Sequence, residues 1–428
     1  MIRCELTVRK IVVALGGLAA ASILASTAAA QDKVTLTVWS DTPRLSTFKA
    51  FSDAHPNTVL KVITVAQGDV VTKLQVAMQA KSEIPDVIWV PTIVSVSQLA
   101  NRRSNYLMDL STKVPQKLKD EFYPNANVPC MVDGKLMCLR NDLAHGLVWY
   151  SRSQLKELGK SVPKTWEEFE KLGAELAALK QGYILGTAVD PGALINYFTS
   201  GGCQLAFPVA GKPNTVKVDL ASENCKKPAR MIDNMVANGS LAKFGPFEPD
   251  FVKAAVAGKV PLLVGPTWYG EYLFKPTFKY QPGILAAAPT LKWADQKQPL
   301  TWSFGGGMFG GWKDTPHPKE VVDLLIYVSS NPAVQANAVT MPAHAPSSIV
   351  WSKRINSDAF YANDVFAVNV ETAKYLTPAF SSVRFDLRTS ISKVIIAGIG
   401  EGRKVVDLLP ELQAELTNVA KLNGYAIE

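Results

Sequence analysis

The stretch that decides the fold runs from residue 34 to residue 90. In order, it reads VTLTVWS (34–40), RLSTFKAFSDAH (44–55), TVLKVITVA (58–66), DVVTKLQVAMQAKS (69–82) and PDVIWV (85–90). The first, third and fifth segments are rich in β-branched residues, as strands are, whereas the second and fourth place apolar residues at helical spacing. Such a β-α-β-α-β alternation predicts a mostly parallel sheet with helices on its faces.

Polar and aromatic residues follow each of these predicted strands. Ligands of such sheets bind beyond the carboxyl ends of the strands. This rule selects Ser40 and Asp41, the segment from Gln67 to Asp69, and Trp89. Asp41 could equally be the N-cap of the next helix, and Trp89 could equally be a core residue.

A second α/β region follows the first. Its predicted strands are HGLVWYS (145–151), YILGTAV (183–189), VPLLVG (260–265) and GILAAAP (283–289). Thr165 and Glu168 form a capping box that begins a helix. A last helix is predicted from about Arg403 to Leu422. With 428 residues and no internal repeat, we expect two domains whose chain segments interleave.

Composition and motifs exclude several classes of function. Apolar residues make up 47% of the chain and charged residues 19%, as in a folded globular protein. The net charge of +8 is spread along the chain without a basic cluster, so nucleic acid is not an expected partner. The four histidines form no HExxH pattern and no serine lies in GxSxG, so nothing indicates an enzyme.

A glycine-rich segment matches the GxGxxG pattern of dinucleotide sites through Gly305, Gly307 and Gly310. That pattern must end a strand and open a helix directly. Here Gly311, Trp312 and two prolines intervene, so we interpret the glycines as a close-packed strand crossing and expect no cofactor.

Residues 1–30 have the features of a secretory signal peptide. Three basic residues lie among the first ten, followed by the apolar run IVVALGGLAAASILA (11–25) and three alanines ending at Ala30. We expect cleavage after Ala30 and an exported chain. An uncleaved membrane anchor is the alternative, but the run is rich in alanine and glycine, whereas a spanning helix needs about 20 strongly apolar residues.

Four cysteines remain beyond this segment, and an even number in an exported chain predicts two disulfides. The segment CMVDGKLMC (130–138) indicates two short strands around an Asp133–Gly134 turn. A two-residue loop would set Cys130 opposite Met137 and a three-residue loop opposite Cys138, so a Cys130–Cys138 bond predicts the longer turn. Cys203 would then pair with Cys225. A four-cysteine zinc site is the alternative, but it would need close CxxC pairs.

Ten motifs, in chain order, resemble those of the extracellular solute-binding proteins of family 1, the carbohydrate receptors of bacterial ABC importers. They are TLTVWSD, IPDVIWV, YLMDLS, DGKLMCLRNDLAHGLVWYSRSQLKELG, PKTWEEF, AAVAGKVPLLVGPTW, GILAAAPTL, FGGGMFGGW, MPAHAPSS and VRFDLRTSIS. The match covers essentially the whole chain after residue 30.

The resemblance implies an α/β protein with the type II periplasmic-binding-protein fold, in which two lobes close over a ligand in the cleft between them. It assigns 31–141 with 305–349 to the N-terminal lobe and 146–301 with 352–428 to the C-terminal lobe. The hinge crossings are then 142–145, 302–304 and 350–351. It further implies a periplasmic monomer that binds a sugar or polyol and delivers it to the permease subunits of an ABC transporter.

The resemblance also implies roles for particular side chains. Trp268, in GPTWYG, corresponds to a stacking aromatic, although a core tryptophan is the alternative; Asp41 corresponds to a polar contact, and Asp142 and His145 lie in the first crossing. The candidate ligand-binding residues are Trp268, Arg384, Asp41, Trp89, Asp142, Tyr269, Ser40, His145, Gln67 and Gly305.

Arg384 departs from the family pattern, because it occupies the place of a second stacking tryptophan, and Ala144 replaces an expected acidic contact. A guanidinium can lie over a sugar ring or make forked hydrogen bonds to a carboxylate. A receptor for an anionic metabolite, such as a sugar acid or glycerol phosphodiester, is therefore the alternative function. A secreted hydrolase is the least favoured class.

Overall fold

The computed structural model describes residues 33–100, 104–132, 134–212, 214–303, 305–377, 383 and 385–428. The predicted signal peptide and Arg384 lie outside these residues. None of the helices in this part of the chain is both long enough and apolar enough to cross a bilayer.

The elements alternate between strands and helices along the chain. Up to residue 200 they are β1 (Val34–Ser40), α1 (Leu45–Ala54), β2 (Thr58–Thr64), α2 (Val70–Ala80), β3 (Val87–Val90), α3 (Ile93–Ala100), α4 (Gln116–Asp120), β4 (Met131–Val132), β5 (Lys135–Leu136), β6 (Leu139–Arg140), β7 (Gly146–Ser151), α5 (Arg152–Glu157), α6 (Trp166–Ala178), β8 (Gly186–Thr187) and α7 (Pro191–Ser200).

The rest of the described chain continues the alternation and then becomes mainly helical. Its elements are β9 (Phe207–Pro208), β10 (Thr215–Lys217), α8 (Glu223–Ala237), β11 (Leu241–Ala242), α9 (Pro249–Val256), β12 (Leu262–Pro266), β13 (Leu285–Ala288), β14 (Met308–Gly311), α10 (Pro318–Ser330), α11 (Pro332–Gln335), α12 (Ala345–Ser357), α13 (Val365–Ala373), α14 (Leu387–Ile391), α15 (Ala397–Gly400), α16 (Val405–Leu422) and β15 (Ala426–Ile427).

One lobe is built on a five-stranded sheet with the strand order β2-β1-β3-β14-β6. β1 pairs in parallel with both β2 and β3, which confirms the predicted parallel alternation. β14 enters this sheet from far along the chain and runs antiparallel to β3 and β6. The sheet therefore needs a return crossing after the second lobe has been made.

The other lobe is centred on β7, which pairs antiparallel with β12 on one side and β13 on the other. Helices α7, α8 and α16 pack nearby around buried residues that include Phe198, Ile232 and Leu412. A separate core under the five-stranded sheet contains Phe48 and Phe309. A third buried cluster, with Trp149 and Phe251, also packs on the β7 sheet. These cores correspond to two lobes, while the residue bounds assigned to them above stay a prediction.

Helix α6 begins where the capping box predicts. The Thr165 hydroxyl accepts a hydrogen bond from the Glu168 amide at 3.1 Å, and the Glu168 carboxylate accepts one from the Lys164 amide at 2.6 Å. One face of the helix, with Phe169 and Leu176, is buried in the second lobe. The Trp166 amide also donates to the Lys292 carbonyl at 3.0 Å, which attaches the helix start to the chain after β13.

Both predicted disulfides are present: Cys130–Cys138 and Cys203–Cys225. The predicted register of the first hairpin is wrong, however. Met131 pairs with Leu136 and Val132 with Lys135, so the loop has two residues, and the Met137 amide donates to the Cys130 carbonyl. Because each strand spans only two residues, both cysteines lie outside the ladder and can bond without facing each other in it.

Candidate functional site

A cavity of about 500 Å³ opens in the described structure beside the end of β12. Three residues selected from the sequence line it: Trp268, Tyr269 and Gly305. The remaining lining residues are Asp190, Pro191, Gly192, Pro246, Phe247, Trp302, Asp386, Arg388, Thr389 and Ser392. Aromatic rings and a few convergent polar groups are the usual lining of a small-molecule site.

Trp268 is held at this cavity by other aromatic rings. Its indole is half-buried, stacks on Phe247 with centroids 6.2 Å apart, and meets Tyr269 edge-on at 4.8 Å. Tyr269 is itself buried against Gly265, where an added Cβ would come within 2.0 Å of its ring. The glycine in GPTWYG therefore lets Tyr269 pack beneath the loop and leaves Trp268 at the cavity wall.

Two carboxylates at helix starts also border the cavity. Asp190 caps α7, since its Oδ1 accepts from the Ala193 amide at 2.7 Å, and burial raises the pKa of this carboxyl. Asp386 caps α14 and accepts from both the amide and Nε of Arg388, at 3.0 and 3.2 Å. These residues were missed in the sequence. The Asp-Pro start of α7 was a visible capping signal, but it gave no indication of the cavity.

The other lobe contributes a second cluster at the end of β1 and β3. The Arg44 guanidinium lies over the Trp89 indole, 4.2 Å from a ring centroid. Its Nη1 donates to Asp41 Oδ2 at 2.6 Å, and its Nη2 lies 3.6 Å from Asp142 Oδ1. The structure thus brings the candidate residues Asp41, Trp89 and Asp142 together around an arginine that the sequence reasoning did not select.

Asp142 ties this cluster to the glycine-rich crossing. Its Oδ1 accepts from the Gly307 amide at 2.7 Å, and its Oδ2 accepts from the Thr340 hydroxyl at 2.6 Å. Gly307 packs closely on Trp89, because an added Cβ would come within 2.1 Å of the indole nitrogen. The segment then continues as strand β14 and not as a helix, so a dinucleotide-binding turn is excluded and a close-packed crossing is observed.

Arg140 connects the chain just after β6 with the glycine-rich segment before β14. The fully buried guanidinium donates to the Asp142 carbonyl at 2.7 Å, to Ser303 Oγ at 2.7 Å and to the Gly305 carbonyl at 2.5 Å. Burial lowers the pKa of Arg140 to about 10, so the side chain is charged at neutral pH. At Gly306, φ is +83° and an added Cβ would lie 2.2 Å from this guanidinium, so the crossing requires glycine there.

Three predicted residues lie apart from these groups. His145 is fully buried, and burial lowers its pKa to about 3; its backbone bridges to Ser303 and accepts from the Thr267 amide. Gln67 is exposed at the start of a 3₁₀ turn. Ser40 is buried at the end of β1, and its hydroxyl has no hydrogen-bond partner among the described residues. None of the three lines the cavity beside Trp268.

Comparisons with known proteins agree with this architecture. Residues 39–335 match the family described as bacterial extracellular solute-binding protein. A lactose-binding protein of Rhizobium radiobacter is 21% identical over 262 residues, which span 59% of this chain and 60% of that protein.

Solved structures have the same fold. The galacto-N-biose/lacto-N-biose I-binding protein of a Bifidobacterium longum ABC transporter, in complex with lacto-N-biose, superposes with a TM-score of 0.75 at 18% identity and covers 93% of this chain and 99% of its own. The sugar-binding protein MalE from Xanthomonas citri superposes with a TM-score of 0.73 at 16% identity, over 91% and 98% of the two chains. These likenesses show the two-lobe binding-protein fold.

The family match extends over more than half of the chain and includes the end of β1, Trp89, the segment 142–145, Trp268 and the glycine-rich segment. This match confirms the family resemblance inferred from the motifs. The chain therefore belongs to the family of bacterial extracellular solute-binding proteins.

Proposed function

We propose that this protein is the sugar-binding receptor of an ABC importer and that it holds its ligand in the cleft between its lobes. The observation that carries the proposal is the half-buried Trp268 at a cavity bordered by the Asp190 and Asp386 carboxylates. The apolar C–H face of a sugar ring stacks on an indole, while carboxylates accept hydrogen bonds from its hydroxyls.

The names of the relatives support the same substrate class. The similar protein of R. radiobacter is a lactose-binding protein, and the similar structures include receptors bound to lacto-N-biose and β-1,6-galactobiose. The cavity of about 500 Å³ is in the range of small-molecule sites. A disaccharide is therefore the first ligand to test.

An anionic ligand is less favoured. Two carboxylates border the cavity, and the one described cation there, Arg388, already donates from Nε to Asp386 at 3.2 Å. These carboxylates would repel a negatively charged ligand. Sugar acids therefore serve as the negative set in the experiment.

The finer parts of the proposal follow from lobe closure. Segments 142–145, 302–304 and 350–351 act as the hinge, and Asp41, Trp89, Trp268, Tyr269 and Gly305 face the ligand from the two sides. The closed form docks on the permease subunits, and the chain works as a binding protein without turnover. After removal of residues 1–30, it operates in the periplasm.

The test is a thermal-shift screen of residues 31–428 against lactose, maltose, β-1,6-galactobiose, polyols and sugar acids, followed by calorimetry. A ligand at a hundred times its Kd adds about 2.7 kcal/mol to the free energy of unfolding. We expect a shift with at least one neutral sugar, reduced in a Trp268→Ala variant. A shift with sugar acids alone, or release of a hydrolysis product, would overturn the proposal.

A further inference from the structure

Arg44 covers one face of an aromatic ring in the lobe built on the five-stranded sheet. Its planar guanidinium lies over Trp89 at 4.2 Å and pairs with the Asp41 and Asp142 carboxylates. A flat polar group on an indole, flanked by carboxylates, has the same pattern of contacts that a sugar ring would make. The protein thus fills this half of its site with its own side chain.

The arginine also hides the groups beneath it from solvent. Its own side chain is 17% exposed, whereas that of Asp41 is 8% exposed and that of Asp142 is 3% exposed. Trp89 is 3% exposed. The face of Trp89 beneath Arg44 is therefore closed to a ligand while the guanidinium stays in this position.

Some buried polar atoms around Arg44 have no hydrogen-bond partner in the described part of the chain. Asp41 Oδ1, Arg44 Nε and Trp89 Nε1 are buried and have no hydrogen-bond partner among the described residues. Leaving a buried polar atom unpaired costs free energy. A ligand hydroxyl group, which is both donor and acceptor, could pair with the unpaired Asp41 oxygen.

A second place for the guanidinium adjoins the first. A pocket of about 120 Å³ is lined by Arg44 together with Asn141, Gln335, Thr340 and Tyr272. Gln335 is 2% exposed, and its Oε1 has no hydrogen-bond partner in the described structure. This pocket therefore offers an arginine both room and an unpaired acceptor.

We propose that Arg44 is a movable cover that sets the affinity of the site: it lies on Trp89 in the unliganded protein and swings into the pocket beside Gln335 when a sugar ring takes its place. The inference rests on the proposed sugar-binding function. The apparent affinity of such a site is reduced by the fraction of molecules that are covered. Arg44 thus competes with the ligand and does not hold it.

The sign of the effect makes the proposal testable by calorimetry with lactose, maltose and β-1,6-galactobiose. We expect the affinity of Arg44→Ala for the sugar to be between about 3-fold and about 30-fold higher than that of the wild type. The affinity of Arg44→Lys should be intermediate. Arg230→Ala, which removes an arginine from an exposed pair with Glu223, is the control and should bind as the wild type does. Weaker or unchanged binding by Arg44→Ala would overturn the proposal.

A second measurement does not depend on any ligand. Acrylamide quenching of tryptophan fluorescence should increase in Arg44→Ala relative to the wild type, because Trp89 becomes accessible. The increase should vanish when both proteins also carry Trp89→Phe. An equal quenching constant with and without Arg44 would show that the side chain does not cover Trp89. If the wild type binds no sugar, the proposed function fails, and this measurement still decides whether Arg44 is a cover.

Discussion

Replacing Arg140 by methionine should weaken the contact between the end of β6 and the glycine-rich segment before β14. The methionine side chain has a similar length but no donors, so the hydrogen bonds to the Asp142 carbonyl, Ser303 Oγ and the Gly305 carbonyl are all lost. Two of these acceptors, on Ser303 and Gly305, lie 163 and 165 positions from Arg140 in the sequence. The substitution therefore acts where the chain entering β14 packs against the end of β6.

The magnitude can be worked out from what remains after the change. The Ser303 hydroxyl still donates to the Gly305 carbonyl at 2.8 Å, so only the Asp142 carbonyl loses its side-chain donor without replacement. An unsatisfied buried acceptor costs about 1–3 kcal/mol, and each lost bond from a charged donor costs about 1.5–3 kcal/mol. The desolvation of the buried guanidinium is relieved and offsets part of this loss. We expect the free energy of unfolding to fall by about 3–5 kcal/mol.

The assay is urea unfolding of residues 31–428, followed by circular dichroism, together with amide hydrogen exchange of the folded protein. The Gly307 amide, which donates to Asp142 Oδ1 at 2.7 Å, should exchange faster in Arg140→Met. Arg230→Met is the matched control at an exposed position of α8 and should unfold as the wild type does. A decrease of less than about 1 kcal/mol in the free energy of unfolding, with unchanged exchange at Gly307, would refute the reasoning. The loss of three hydrogen bonds from a buried arginine should cost more than that.

Three further outcomes are expected. Trp268→Ala should weaken sugar binding by about 1–3 kcal/mol in calorimetry while its thermal midpoint stays near that of the wild type, and Trp268→Phe should recover part of the loss; normal binding by the alanine variant would remove this residue from the site. His145 has a folded pKa of about 3, below its usual 6.5, so the unfolded chain takes up a proton as the pH falls below 6.5 and the folded chain does not. Protonation of His145 in the unfolded chain should thus lower the free energy of unfolding by about 2 kcal/mol between pH 7 and pH 5. In urea titrations at the two pH values, His145→Gln should lose correspondingly less stability than the wild type. An equal loss in both proteins would contradict the burial argument. A double serine variant of Cys203 and Cys225, which close a loop with a sequence separation of 22, should lose about 2–4 kcal/mol of stability, and an unchanged urea midpoint would count against this bond as a stabilising link.

Individual elements could be predicted from the sequence where the signals are local, although the predicted strand 183–189 is reduced to Gly186–Thr187. The bounds of β1 and β3 follow from their β-branched runs, and the start of α6 follows from the cap made by Thr165 and Glu168. The hairpin register failed for a local reason as well: Cys130 ends a 3₁₀ turn and Cys138 lies beyond β5, so their bond does not report on the ladder.

The site was only partly predictable. Trp268 could be selected because glycine and proline flank it in a loop after a strand. Arg44 and Arg140 could not, since each acquires its role from partners distant in the chain, Trp89 for the first and Ser303 for the second. An arginine in sequence is more often a solvated surface residue. Only the fold shows that Arg140 is buried and that both arginines contact Asp142.

The central claim is that a sugar closes the two lobes, and small-angle X-ray scattering tests it most directly. Residues 31–428 would be measured with and without a saturating concentration of the neutral sugar that gives the largest thermal shift, beside Trp268→Ala at the same sugar concentration. The account predicts that the radius of gyration of the wild type falls on addition of the sugar and that the variant shows a smaller change. A radius of gyration that stays constant while calorimetry reports saturated binding would contradict it.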